Sequence, residues 1–166
     1  AIVSAQGEHL PAGETGEICI HGFHVMKGYF EQPEATAQAI DAQGWLHTGD
    51  VGHVDENGYL SITDRLKDMY ISGGFNCYPA EIEAVLAQHP AIAQSAVVGI
   101  RDERMGEVGC AFITLKPDHT TNQADLIAWC KERMANYRVP RRVEIIAAMP
   151  LNASNKIVKA ELLTLI

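Results

Sequence analysis

Apolar positions follow one pattern up to about residue 64 and another beyond it. In the first stretch they alternate with polar residues over short runs. Glu17-Ile18-Cys19-Ile20-His21 lies between Gly16 and Gly22, and residues 51–54 and 59–63 flank Asp55-Glu56-Asn57-Gly58. Such alternation predicts half-buried strands, and Asn-Gly between two of them predicts a hairpin. One helix over 33–40 interrupts the strands, opened by Pro33 and stopped near Gly44. Beyond residue 64, strands and helices alternate. Residues 69–72 and 75–78 flank Gly73-Gly74, a tight hairpin, and 79–88 carries Ile82, Val85 and Leu86 on one helical face. Residues 91–100 and 109–115 read as apolar strands. Asn122 caps a helix through Met134, with Asp125 as reciprocal cap and Leu126, Ile127, Cys130 and Met134 as its apolar face. Residues 142–145 alternate once more, and the polar loop 152–156 precedes a short last helix. The pattern predicts an α+β chain. A small mostly-β subdomain spans 1–64, and a domain over 65–166 has a short, mainly antiparallel sheet flanked by helices.

Charge sharpens that division. Residues 1–64 hold ten acids and one base, Lys27, while 65–166 hold eleven acids and twelve bases, for a net charge of −8. An acidic total argues against non-specific nucleic-acid binding, which needs cations to displace counterions. Nearly every cation sits in the second module, the half suited to meet an anionic ligand. With 47% apolar and 20% charged residues the composition is that of a folded domain. No apolar run is long enough to span a bilayer, and the first residues carry no secretory signal. The lack of an initiator Met and the abrupt strand-like start predict a piece of a longer chain. Cys19, Cys77, Cys110 and Cys130 show no CxxC or Cys/His metal spacing. They read as small buried thiols of a reducing, cytoplasmic compartment. His21 and His24 have no third ligand at metal spacing, and no metal site is expected.

Four local patterns invite chemistry, each weak alone. His47-Thr48-Gly49-Asp50 places a carboxylate after a flexible glycine, where it can accept hydrogen bonds from a vicinal diol such as a ribose; alone, the tetrapeptide reads as a turn. Arg65 lies in the charge cluster 64–68, ordinarily a solvated turn, and can contact sugar or phosphate oxygens. Gly73-Gly74 lets backbone approach a ligand, though a plain hairpin needs glycines too. Lys156 is the one cation of its loop, a mobile point charge for a phosphoryl group or simply a solvated lysine.

Their order changes the weighing. Gly28-Tyr29-x3-Pro33-Glu34-x-Thr36, Gly44-Trp45-Leu46-His47-Thr48-Gly49-Asp50, Asp64-Arg65-Leu66-Lys67-Asp68, Gly73-Gly74-Phe75-x3-Pro79-x-Glu81-Ile82-Glu83 and Pro150-Leu151-Asn152-x3-Lys156 follow one another. This series resembles the acyl- and aryl-CoA ligases of the adenylate-forming (AMP-binding) superfamily, from about Glu14 to the C-terminus. Five motifs in order are specific where each alone is not. The resemblance implies that a carboxylate attacks the α-phosphate of ATP to give an acyl-adenylate, and that the thiol of CoA then displaces AMP. It implies that Asp50 and Arg65 hold the ribose of ATP and that Lys67 is the hinge of a mobile C-terminal domain. Gly73, Gly74 and Phe75 match the loop that contacts the pantetheine of CoA. Lys156 matches the catalytic lysine over the carboxylate and α-phosphate.

Two positions depart from the family pattern. Asn155 stands where Gly is usual, and Ile71 stands where luciferases and plant coumarate ligases have a second lysine, which favours bacterial fatty-acid or aromatic-acid ligases. The family's phosphate loop, acyl pocket and magnesium-holding glutamate lie upstream of the matched motifs, and no stretch here has the glycine density of a phosphate loop. The expectation is the C-terminal part of a ligase that uses ATP, CoA and Mg on a carboxylic acid, a fatty acid first, and that is inactive in isolation. An aryl-CoA ligase, a peptide-synthetase adenylation domain and a non-catalytic docking module are the alternatives. Peptide-synthetase domains usually carry Asp at the hinge, where this chain has Lys67.

Overall fold

The structure, a computed structural model, describes residues 1–166. It divides into two compact units, Ala1–Lys67 and Asp68–Ile166.

The first unit is one antiparallel sheet of four strands in sequence order, β1 (Ile2–Val3), β2 (Gly16–Ile20), β3 (Leu46–Val54) and β4 (Leu60–Arg65), with helix α1 (Pro33–Ala39) between β2 and β3. Ile2, Val3, Ile18, Cys19 and Val51 are its buried apolar residues. In the β3–β4 hairpin the Asp55 carboxylate accepts the N–H groups of Asn57 and Tyr59, each at 2.9 Å. Two segments that read as turns are strand instead. His47-Thr48-Gly49-Asp50 lies within β3, and Asp64 and Arg65 close β4 opposite Val51 and Asp50. Alternation fails as a guide there because the β2–β3 register shifts between Glu17 and Cys19. Only Leu66–Asp68 remain a single 3-10 turn. The compact unit therefore runs past the charge step, since Arg65 is tied into the first sheet.

In the second unit, β5 (Tyr70–Ser72) and β6 (Phe75–Cys77) form a hairpin, followed by α2 (Pro79–Leu86). A long hairpin of β7 (Ile92–Asp102) and β8 (Gly106–Leu115), helix α3 (Gln123–Lys131), strand β9 (Arg142–Ile145) and the one-turn helix α4 (Lys159–Leu162) complete it. The sheet order is β6-β5-β8-β7, all antiparallel, and β9 joins β8 in parallel over Cys110–Ile113. Successive strand residues point to opposite faces, so this sheet has two cores. Val97, Ala111 and Ile113 pack with Ile82, Leu86, Leu126 and Cys130 of α2 and α3. Ala96, Val98, Cys110 and Phe112 pack with Met149 and Leu162 of α4.

Details of the elements follow from local chemistry. Asn122 Oδ1 accepts the Asp125 N–H at 3.0 Å and its Nδ2 donates to the Asp125 carboxylate at 2.7 Å, closing the expected cap. Helix α3 ends at Lys131, short of Met134: the Arg133 N–H donates to the Cys130 carbonyl, three residues back, while its guanidinium donates to the Trp129 carbonyl at 3.1 Å. No helix is long and apolar enough to cross a membrane.

Candidate functional site

Asp50 and Arg65 are cross-strand partners on β3 and β4, and the Arg65 Nε lies 3.1 Å from Asp50 Oδ1. Antiparallel pairing sets the two side chains on one side of the sheet, where they meet. A carboxylate beside a guanidinium presents acceptors and donors together, the set that a vicinal diol next to a phosphate requires. The pair is partly open, with side chains 28% and 60% exposed.

Around Asp50 lies a cluster that the linear spacing hid. Pairing of Cys19 with His47 across the sheet brings the Cys19 thiol, the Glu17 carboxylate and the His47 ring together, their donor atoms within 4.8 Å of one another. The only sequence signal for it is register. Glu17 Oε2 lies 2.8 Å from His47 Nδ1, and since a carboxylate only accepts, that nitrogen is the donor. The Glu17 hydrogen bond holds the His47 pKa above its ordinary value, with the charges of Glu17 and Asp41 adding to it. Burial, reinforced by the charge of Glu17, pushes the Cys19 thiol up to about 11. A protonated thiol and a carboxylate already engaged by histidine make a poor set for magnesium, a hard cation that takes oxygen ligands. An open cleft of about 490 Å³ runs beside the cluster, lined by Tyr29, Gln32, Gln38, His47 and Thr48 among others.

Lys67 is the last residue of the first unit, in the 3-10 turn Leu66–Asp68. Gly73 and Gly74 form the tip of the β5–β6 hairpin with φ of +59° and +87°, and the Gly73 N–H donates to the Met105 carbonyl at 2.8 Å. Both angles belong to the left-handed region that glycine adopts without strain. Phe75 stays exposed and stacks on Tyr137, with ring centroids 4.6 Å apart and 21° between planes. Lys156 sits in a turn built on Asn152, whose Oδ1 accepts the N–H groups of Ser154 and Lys156 at 2.9 Å each. Asn155 adopts φ +62° there, a left-handed angle that asparagine tolerates better than most residues. Lys156 itself is exposed and has no carboxylate within ion-pair distance.

The structure thus brings Asp50 and Arg65 together and keeps the Gly73–Phe75 hairpin away from the Lys156 loop. Tyr137, which carries Phe75, packs on the core facing α2 and α3, whereas Ile157, next to Lys156, packs on the core facing α4.

The chain is similar to known proteins in sequence and in fold. Residues 81–156 match the AMP-binding enzyme C-terminal domain. The chain is 56% identical over 153 residues to the 3-[(3aS,4S,7aS)-7a-methyl-1,5-dioxo-octahydro-1H-inden-4-yl]propanoyl:CoA ligase of Rhodococcus jostii, covering 92% of this chain and 30% of that protein. Its fold matches the o-succinylbenzoate CoA synthetase of Bacillus subtilis in complex with its acyl-adenylate intermediate, at TM-score 0.88 and 39% identity, over 97% of this chain and 33% of that one. It also matches an amide bond synthetase of Marinactinospora thermotolerans at TM-score 0.90 and 37% identity, over 99% of this chain and 34% of the other. The chain spans about a third of the length of the relatives it matches. With that domain model matched over residues 81–156 and relatives matched over nearly every residue of this chain, residues 81–156 belong to the AMP-binding enzyme C-terminal domain family and the chain is homologous to the C-terminal part of adenylate-forming CoA ligases.

Proposed function

We propose that this chain is the C-terminal part of an ATP-dependent acyl-CoA ligase, which forms an acyl-adenylate and passes the acyl group to CoA. The observation that carries this reading is the Asp50–Arg65 pair, a diol-binding set held by cross-strand pairing at 3.1 Å. In it, Asp50 and Arg65 hold the ribose of ATP and Lys156 is the catalytic cation of adenylation. Gly73, Gly74 and Phe75 meet the pantetheine, and Lys67 is the hinge between residues 1–64 of the large domain and a mobile domain beyond. Magnesium is held by residues outside this chain. The acid is ring-bearing rather than the straight-chain fatty acid first expected, a reading supported by the acids named for the Rhodococcus and Bacillus relatives. CoA is preferred over an amine as acceptor because the sequence relatives at 56% and 51% identity are CoA ligases. The four buried thiols suit a cytoplasmic setting.

The test has two arms. The full-length protein, given ATP, CoA and a panel of ring-bearing and straight-chain acids, should yield acyl-CoA and AMP, whereas residues 1–166 alone should neither exchange pyrophosphate into ATP nor form a thioester. Acyl-CoA synthesis by the 166-residue chain alone would overturn the reading.

A further inference from the structure

Between two paired positions, Glu17 with Val51 and Cys19 with His47, β2 offers one residue and β3 offers three, Thr48, Gly49 and Asp50. This is a bulge, and a bulge bends its strand and re-aims the side chains beside it. Gly49 takes φ +69° within it. Backbone groups in the bulge still need partners, and two side chains supply them. The Thr48 hydroxyl donates to the Ile18 carbonyl at 2.7 Å and accepts the Asp50 N–H at 3.1 Å. Glu17 Oε1 accepts the Gly49 N–H at 3.1 Å while Oε2 takes His47 Nδ1 at 2.8 Å. Glu17 is itself well shielded, 16% exposed, and its two oxygens clamp the residues on either side of Thr48. Three of these four bonds end on the bulge residues that carry Asp50 to Arg65, and the fourth holds His47 just before them.

We propose that Thr48 and Glu17 are positioning residues for the Asp50 carboxylate, holding the bulge in the one geometry that sets it against the nucleotide ribose. The proposal rests on the ribose-binding role given above to Asp50. Thr48 acts directly, through the Asp50 peptide. Glu17 acts one step further back, through Gly49 and the His47 ring. Neither touches the nucleotide, so their loss should blunt the reading of the ribose hydroxyls and leave the rest of nucleotide binding as it was.

The experiment measures the Kd of the full-length protein for ATP and for 2′,3′-dideoxy-ATP, by calorimetry, with thermal melting as a check of folding. Asp50→Ala should abolish the preference for ATP. Thr48→Val, which keeps the shape and removes the hydroxyl, should weaken ATP about tenfold and leave dideoxy-ATP unchanged, and Thr48→Ser should restore the preference. Glu17→Gln should lower the preference about threefold, and it decides the matter if Thr48→Val does not fold. Equal weakening of both nucleotides, or no change in either, for Thr48→Val and Glu17→Gln overturns the proposal while Asp50→Ala still loses the preference. If Asp50→Ala keeps the preference, the ribose reading itself falls, and the positioning role with it.

Discussion

Single residues do their work here through the partner that strand pairing assigns them. For Asp50 that partner is Arg65, and a hydrogen bond to a charged group contributes roughly 1.5–3 kcal/mol. Asp50→Ala in the full-length enzyme should weaken ATP binding by about that much, and an unchanged ATP dependence would remove the assignment. His47 gives a prediction in pH. Its folded pKa is raised above 6.5, first by the Glu17 hydrogen bond, so the folded state holds the imidazolium more tightly than the unfolded chain does. The stability it adds is complete below its ordinary value and is lost as pH rises through the raised one. Thermal midpoints of the wild type and Glu17→Gln should differ most just below pH 6.5 and converge at alkaline pH. The His47 ring resonances should titrate at lower pH in the variant. A gap that widens with pH would contradict the pairing.

At the scale of the element, close approach governs. Gly99 and Gly109 face each other across the β7–β8 ladder, and the buried Tyr70 ring lies over both, so a methyl group at Gly109 would meet the Tyr70 hydroxyl. Gly109→Ala should therefore cost about 1–3 kcal/mol through overpacking, read from the denaturant midpoint at unchanged slope. The pair of small residues restores tolerance only where the ring is cut back, so Tyr70→Leu should relieve the Gly109→Ala penalty. A penalty that stays the same in the double variant would place the clash elsewhere. These elements also mark what the sequence makes legible. Helix α2 announces itself through Ile82, Val85 and Leu86, and α3 through its Asn122 cap, because both signals are local. The strand containing His47 to Asp50 does not, since a bulge breaks the alternation and its satisfaction comes from Glu17, some thirty residues away. The Glu17–Cys19–His47 cluster is hidden for the same reason: only the register of two strands brings it together. By contrast Asp50, Arg65 and Lys156 are singled out by the order of motifs, yet the pairing of Asp50 with Arg65 needs the sheet.

Across the whole molecule, the two units differ in charge and in what they carry. The acidic first unit holds the Asp50–Arg65 pair, and the second, with most of the cations, holds the Gly73–Phe75 hairpin and the Lys156 loop. Within the second unit, Lys159 lies 2.9 Å from Glu83 on α2 and 4.0 Å from Asp68, the unit's first residue. Glu83 also accepts the Val97 N–H at 2.8 Å on strand β7. The helix that follows the Lys156 loop is thereby fastened to α2 and to the start of the unit, so loop and unit should move as one body. A ligase in which such a body presents two loops in turn would use each in a different half-reaction. The measurement that tests this most directly pairs pyrophosphate exchange with single-turnover conversion of synthetic acyl-adenylate and CoA, in full-length enzyme carrying Lys156→Ala. The account predicts that exchange is abolished while thioester formation from the supplied adenylate stays close to wild type. Equal loss in both reactions would contradict it, leaving Lys156 a structural or general binding residue.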